Sequence, residues 1–152
     1  MLYFSAEISG SANAEISGTT QNSNITSSGT SVFYGLNFIT HNNVDLKVSG
    51  SGNVEINVEG NSISAEFSGN SGKATISGKV HDLNIRTRGN FVFTGMNLIA
   101  SNATIRSSGS SNISIHVQEI LNANTLGSSN IIYRGNPRID LNSSRSSSVR
   151  AE

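Results

Sequence analysis

The chain has no cysteine and a single proline, Pro137. The lack of cysteine excludes disulfide bonds, thiol catalysis and metal sites with thiolate ligands, although it does not fix the cellular compartment. No apolar run approaches the roughly 18 residues that a membrane-spanning helix needs. Residues 1–4 are too short for an export signal and lack its basic flank. Membrane insertion is therefore not expected, and the sequence shows no export signal.

Charged residues are also scarce, at 13% of the 152 residues, and 10 basic side chains balance 10 acidic ones. A net charge of zero gives no overall field to attract nucleic acid phosphates, so nucleic acid is not an expected partner. Disordered chains usually combine low hydrophobicity with high net charge, whereas here aliphatic residues recur between Ser, Asn and Gly. This composition is typical of a repetitive β-protein.

The sequence repeats itself at two scales within one expected domain, residues 1–152. Residues 6–58 align with residues 65–117, which indicates an internal duplication. A finer period of roughly 20 residues places polar and small residues at regular intervals. Residues from about 143 to 152 form a polar C-terminal tail in this interpretation. The Asn-type positions of the finer period are Asn22, Asn42, Asn61, Asp82, Asn102, Asn122 and Asn142, and the glycine positions are Gly10, Gly29, Gly50, Gly69, Gly89 and Gly109.

The regular Asn and Gly positions predict two stacked corners, because both residue types tolerate the backbone of sharp turns. Between the corners apolar and polar residues alternate, which predicts strands with one face inward. A β-sandwich needs no fixed register between identical residue types, whereas a solenoid does. We therefore expect an all-β, single-stranded parallel β-helix of about seven coils of roughly 20 residues, wound right-handed. One predicted inward column is Ile16, Leu36, Ile56, Ile76, Met96 and Ile115.

Several motifs carry a resemblance to a known family. These are Ser-Gly-Ser-Gly-Asn-Val at residues 49–54, Ser-Gly-Ser-Ser-Asn-Ile at 108–113, and the ending Tyr133-x-Gly135-x-Pro137. The chain resembles the auto-transporter adhesin head GIN domain family of bacterial proteins. The resemblance implies a β-helical, adhesive module that is exported to the periplasm or cell surface, without family-wide catalytic residues. It departs from the family pattern at residues 146–148, where Ser-Ser-Ser replaces the closing Ser-Gly turn.

Residues that could support catalysis or metal binding are sparse. His41 and His81 lie two coils apart, about 9.6 Å, which is too far to share one metal ion, so no cofactor or metal is expected. Glu15 and Glu55 are predicted on one outward column at the same separation, with Gly35 between them. This spacing is near the upper limit for inverting glycosidases, and scattered surface carboxylates are the simpler explanation.

One outward column of charged residues is the main candidate for ligand binding. It comprises Lys47, Glu66, Arg86 and Arg106, and it could bind an acidic glycan. The alternative is charge balance along a solvated face, since the column contains an acid. Two tyrosines at the start of apolar segments, Tyr34 and Tyr133, are predicted in the core or at a coil edge.

The leading functional hypothesis is a non-catalytic, adhesin-like module at the cell surface or in the periplasm. Its flat repetitive faces would bind glycan or a surface protein through weak, repeated contacts. Two alternatives stay open. One is a carbohydrate-active enzyme on the same scaffold, and the other is a spacer or assembly unit whose exposed solenoid ends pair into homo-oligomers.

Overall fold

The computed structural model describes residues 2–143 and 146–152, without the side chains of Leu36 and Asn37. It is an all-β chain, 85% strand, that forms a parallel solenoid of about 8 turns. The longer strands continue around a corner, and the longest, of 57 residues, spans several coils. The strands are β1 (Tyr3–Ile8), β2 (Asn13–Ser27), β3 (Val32–Ser49), β4 (Asn53–Gly109), β5 (Asn112–Gly127), β6 (Asn130–Arg134), β7 (Arg138–Ser143) and β8 (Ser148–Ala151).

The pairing between successive strands is parallel throughout the described part of the chain, which confirms the β-helix and excludes the sandwich. The coil length varies along the chain. Val32 pairs with Asn53, whereas Asn112 pairs with Asn130, so the later coil is shorter. The last part of the chain adds a further coil, because β7 pairs with β5 and β8 pairs with β6. The region expected as a polar tail thus contains the strand Ser148–Ala151.

Each coil has two straight segments with an apolar interior between them. We call the segments that follow the glycine corners face 1, as in 53–58 and 112–117, and those that follow the asparagine corners face 2, as in 62–68 and 103–108. On both faces burial alternates, so that Val54, Ile56 and Val58 point inward while Asn53 and Ser51 are exposed. The alternation follows from the pleat of a β-strand, and it leaves the outer side of each face to polar residues.

The predicted inward column that contains Ile56 and Ile115 is wrong at two of its members, Leu36 and Met96. Ile56 pairs with Gly35 and Ile115 pairs with Gly95, instead of with Leu36 and Met96. Met96 is only half-buried, and the side chain of Leu36 lies outside the described part of the chain.

The reason for this difference is a Phe-x-Gly motif that occurs twice. The rings of Phe33 and Phe93 enter the interior and lean over the glycine two residues later. A Cβ at Gly35 would lie 3.2 Å from the Phe33 ring, and one at Gly95 would lie 2.6 Å from the Phe93 ring. The ring fills the space of the missing side chain, and the register then shifts beyond each glycine.

The core changes character along the rod. In the middle coils Phe67 stacks on Phe91, with ring centroids 4.3 Å apart, and also contacts Phe93. In the later coils the same interior region carries hydroxyl groups. Thr87 donates to Ser107 at 2.7 Å, and Ser107 and Ser129 share a hydrogen bond of 2.6 Å. The hydroxyls of Thr87, Ser107 and Ser129 satisfy one another, whereas the buried hydroxyl of Thr125, which pairs with Ser107, has no hydrogen-bond partner.

The asparagine corner is a ladder of side-chain hydrogen bonds. Asn42 donates to Asn22 at 3.2 Å, Asn61 donates to Asn42 at 2.6 Å, and Asn102 donates to Asp82 at 3.2 Å. The prediction of stacked Asn residues is confirmed within two groups, Asn22 with Asn42 and Asn61, and Asp82 with Asn102.

The same prediction is wrong for Asn122 and Asn142. Asn122 pairs with Thr104 and Asn142 pairs with Asn124, so both lie on face 2. The position opposite Asn102 is instead Ile120, because the coil is shorter here than the period of the earlier coils.

Candidate binding face

The predicted charged column lies on the outer side of face 2. Lys47 is paired with Glu66, and Glu66, Arg86 and Arg106 line one cavity of about 410 Å³. All four side chains are exposed. Alternation along the strand positions them, since Leu46, Ala65, Ile85 and Ile105 are their buried neighbours in sequence.

Three arginines come together at the C-terminal part of this column. Arg86, Arg88 and Arg106 line a second shallow cavity of about 310 Å³, with Asn124 and Leu126 on its far side. Arg106 pairs with Asn124, and Ser108 pairs with Leu126. Leu126 is 62% exposed and gives the cavity an apolar patch. We call Arg86, Arg88, Arg106, Asn124 and Leu126 the arginine cluster.

The arginine cluster carries uncompensated positive charge in a chain of zero net charge. Among the described residues, none of its guanidinium groups is in an ion pair, and the pairs that form lie elsewhere, at His81–Asp82 and Arg134–Glu152. Carboxylates line the two cavities that adjoin the arginine cluster. Glu66 shares the 410 Å³ cavity, and Asp140 shares a cavity of about 250 Å³ with Arg106. Arg88 lines neither of these two cavities, so these carboxylates screen its charge least.

The floor of the arginine cluster is rigid. Thr87 and Ser107 lie beneath the arginines, are at most 4% exposed, and are hydrogen-bonded to each other. The cluster residues themselves are held by parallel pairing of successive coils. A rigid floor fixes the spacing of the outward side chains at the coil separation of about 4.8 Å.

Sequence reasoning did not select Arg88, Asn124 or Leu126 as site residues. Arg88 could have been found, because it follows Arg86 at the strand interval of two and so shares its outward side. Leu126 and Asn124 could not be assigned without the shortened coil, which brings residue 126 opposite residue 108.

The histidines lie at separate places. His41 and His81 border a cavity of about 560 Å³ at the asparagine corner, with Glu59, Asn61 and Lys79. The Nδ1 of His81 is 3.1 Å from the carboxylate of Asp82, and hydrogen bonds from His81 and then Asn102 lower the pKa of Asp82. His116 lies on face 1. Within the described residues there is no cluster of three His, Cys, Asp or Glu side chains that could hold a metal ion.

Glu15 and Glu55 do share an outward column, but the residue between them is Tyr34 and not the predicted Gly35. Tyr34 is 45% exposed, so its prediction as a core or edge residue is wrong. Phe33 takes the inward position, which turns Tyr34 outward. Tyr133 is half-buried and packs against the core.

Small polar corners, an apolar interior and rows of exposed polar side chains define the class of β-solenoid repeat scaffolds. Such scaffolds present extended, shallow surfaces. The chain belongs to the family described as "Putative auto-transporter adhesin, head GIN domain", whose model matches residues 3–71 and 36–137. No curated protein matches it.

A solved structure has the same fold. It is the crystal structure of a "putative lipid binding protein" from Parabacteroides distasonis, with a TM-score of 0.77 and 22% sequence identity. The similarity covers 99% of this chain and 61% of that protein, so this chain spans less than two thirds of its structural relative. In the described part of this chain there is no helix that is both long and apolar enough to cross a bilayer.

Proposed function

We propose that the chain is a non-catalytic binding module, exported to the periplasm or cell surface, whose face 2 binds acidic glycans at the arginine cluster. The observation that carries the proposal is the group of three arginines, none of them in an ion pair among the described residues, around one shallow cavity. Membership of an adhesin head family supports a role in binding and a location outside the cytoplasm.

The chemistry of the cluster fits a sugar that bears carboxylate or sulfate groups. Guanidinium groups form paired hydrogen bonds with such oxyanions and are less strongly hydrated than ammonium groups. Leu126 offers an apolar surface to the carbon face of a sugar ring, and Asn124 offers an amide to its hydroxyls. Each contact is weak because the site is open to water, so we expect affinity to depend on several sugar units in a row.

The carboxylates of face 1 support a role without catalysis. Glu15 and Glu55 are separated by the coil that carries Tyr34, whose exposed side chain stands between them. An inverting glycosidase needs that gap for the scissile bond and a water molecule.

Binding to arrays of acidic and neutral glycans tests the proposal. We expect the purified chain to bind acidic glycans, with affinity that falls as salt rises. Removing Arg86 and Arg106 together by Arg→Ala should weaken binding at least about tenfold, a loss of about 1.4 kcal/mol. The matched control is Lys73→Ala with Lys79→Ala, which removes the same charge from exposed positions outside the cluster.

Two results would contradict the proposal. Equal losses in the arginine and lysine variants would show that only net charge matters. Arginine-dependent binding to anionic phospholipid vesicles without glycan binding would assign the cluster to a lipid headgroup, the ligand class named for the structural relative.

A further inference from the structure

The arginine cluster lines a groove that runs along the rod axis across three coils. Thr87 donates to Ser107, and Ser107 pairs with Thr125, which sets the register of the three coils. Successive coils are about 4.8 Å apart, and alternate residues of one strand are about 6.7 Å apart. The groove therefore lies between two outward rows of side chains, of which one is Arg86, Arg106 and Asn124 and the other is Arg88, Ser108 and Leu126.

The positive charge of the groove decreases from coil to coil. In the first coil an arginine stands on each side, Arg86 and Arg88. In the second coil only one side carries a charge, that of Arg106, and in the third coil neither side does. The third coil instead presents Leu126, one of the most exposed large apolar side chains of the described residues. The groove thus has a cationic end and an uncharged end, about 9.6 Å apart.

The coil before Arg86 carries a negative charge. Gly69 lies against Gly89 in the stack of coils, which places Glu66 beside Arg86. Glu66 is exposed, and among the described residues it is in no ion pair, either with Arg86 or with Lys47 on its other side. Its carboxylate therefore repels an anionic ligand that extends past Arg86 in this direction.

We propose, on the basis of the glycan binding proposed above, that the groove recognises a single acidic sugar whose neighbours carry no charge, in a glycan that lies along the rod axis. Arg86, Arg88 and Arg106 hold the acidic sugar. A neutral sugar follows it over Asn124 and Leu126, and Glu66 rejects a second acidic sugar on the other side. The site therefore prefers an isolated acidic sugar to a glycan that is charged at every unit.

The dimensions and chemistry of the groove support this charge pattern. The coil spacing is close to the length of one pyranose unit, so successive sugars meet successive coils. Arg86 and Arg88 stand on opposite sides of the groove and can both donate to one carboxylate or sulfate. An anionic group over Leu126 would instead lose hydration without gaining a partner. The two uncharged or negative neighbours of the arginines thus limit the length of the acidic segment.

Titration of the full chain with two trisaccharides, followed by NMR, tests the proposal. In sialyllactose one acidic sugar is followed by two neutral hexoses, whereas in trigalacturonate every unit carries a carboxylate. We expect sialyllactose to bind at least about threefold more tightly, although it carries less charge. Nuclear Overhauser contacts from the methyl groups of Leu126 should reach a neutral hexose. Contacts from Leu126 to the acidic sugar would overturn the proposed direction of the glycan.

The variant Leu126→Lys extends the positive charge to the third coil. It should shift the preference at least about tenfold toward trigalacturonate, because the apolar contact is lost and a third carboxylate gains a partner. Leu126 is exposed, so we expect the variant to fold, as judged by circular dichroism. The matched control is Asn112→Lys, which adds the same charge at an exposed position of face 1 and should leave the preference unchanged. An equal shift in both variants would overturn the proposal, because net charge alone would then decide.

The variant Glu66→Gln removes the repulsion on the other side of the arginines. The affinity for trigalacturonate relative to sialyllactose should rise at least about threefold. Glu59→Gln removes the same charge from an exposed position at the asparagine corner and should leave this ratio unchanged. A ratio that responds equally to both variants would contradict the role of Glu66.

The outcomes separate this inference from the proposed function. Binding of both trisaccharides that depends on Arg86 and Arg106 but shows no preference would overturn the charge pattern and leave glycan binding in place. No binding of either trisaccharide at millimolar concentration would overturn the charge pattern as well, and the arrays of acidic glycans then decide whether the wider function stands.

Discussion

The two corners of each coil both turn the chain from one face to the other, but they do so by different means. At the glycine corner the backbone itself carries the turn, since Gly29, Gly50 and Gly89 all have positive φ. A Cβ at Gly50 would lie 2.7 Å from the carbonyl oxygen of Gly29, so no larger residue fits. At the asparagine corner, by contrast, the described non-glycine residues have ordinary φ, and side-chain amides link the coils.

The comparison teaches that the glycine corner depends on missing side chains alone. The asparagine corner also leaves no room for a Cβ at Gly60, which would lie 2.6 Å from the Asn42 carbonyl oxygen, but it adds side-chain hydrogen bonds between coils. Close stacking of backbone excludes side chains at the glycine corner, and the cost of violating it is steric. The amide ladder adds hydrogen bonds that water can partly replace, because its residues are half-buried or exposed. We therefore expect the glycines of the glycine corner to tolerate change much less than the amide side chains of the asparagine corner.

The largest effect is expected for Gly50→Ala. The change combines a strained positive φ of 84° with a clash against the Gly29 carbonyl, and should lower the free energy of unfolding by about 3 kcal/mol. Chemical denaturation measures this loss. The matched control is Gly10→Ala, which has a φ of 72° but nothing within 4 Å of the new Cβ, and should cost about 1 kcal/mol. Equal costs would show that strain alone, without stacking, governs this corner.

A smaller effect is expected for Asn42→Ala at the other corner. Asn42 donates to Asn22 and accepts from Asn61, so the change removes two ladder hydrogen bonds and should cost about 1 to 2 kcal/mol. Chemical denaturation measures the loss, with Asn61→Ala, which removes the bond from Asn61 to Asn42, as the comparison. A loss for Asn42→Ala as large as that for Gly50→Ala would contradict the proposed difference between the corners.

The smallest effect concerns pH and Asp82, the one acid among the predicted ladder positions. Hydrogen bonds from His81 and Asn102 lower the pKa of Asp82 in the folded chain below its ordinary value. A lowered folded pKa contributes stability above the unfolded pKa, and this stability is lost as pH falls through the folded pKa. Melting temperatures of the wild type and Asp82→Asn should therefore converge as pH falls below about 4. Above that pH the difference should be small, because the exposed carboxylate makes only a modest contribution. A difference in melting temperature between the two proteins that stays constant across this range of pH would count against this role of Asp82.

The sequence is sufficient to predict the fold where coil length is constant. Alternation and the repeating period place Leu46, Ile85 and Ile105 inward and the charged column outward, because side-chain direction depends only on the strand. The prediction fails where the number of residues per coil changes along the chain. Shorter coils near the C-terminus move Asn122 and Asn142 from the corner to face 2, and the period alone gives no sign of the shortening.

The Phe-x-Gly motifs show a second limit of the period. Both motifs are visible in the sequence, but the reason for Gly95 is the ring of Phe93 folded over it inside the core. Packing of that kind depends on the three-dimensional structure and cannot be inferred from the repeat period of the sequence. The same limit explains why Arg88 was within reach of prediction and Leu126 was not, since the latter depends on how the final coils are aligned.

The parallel register has a consequence for how such a protein can evolve. Coils bond to the coils directly before and after them, so an insertion or deletion of a whole coil keeps every remaining neighbour in place. The duplicated stretch 6–58 and 65–117 has the character of such an event. Loss of an odd number of residues within a strand would instead turn aliphatic side chains toward water. Homologous chains should therefore differ in length by steps close to one turn, with each step lengthening the rod by about 4.8 Å.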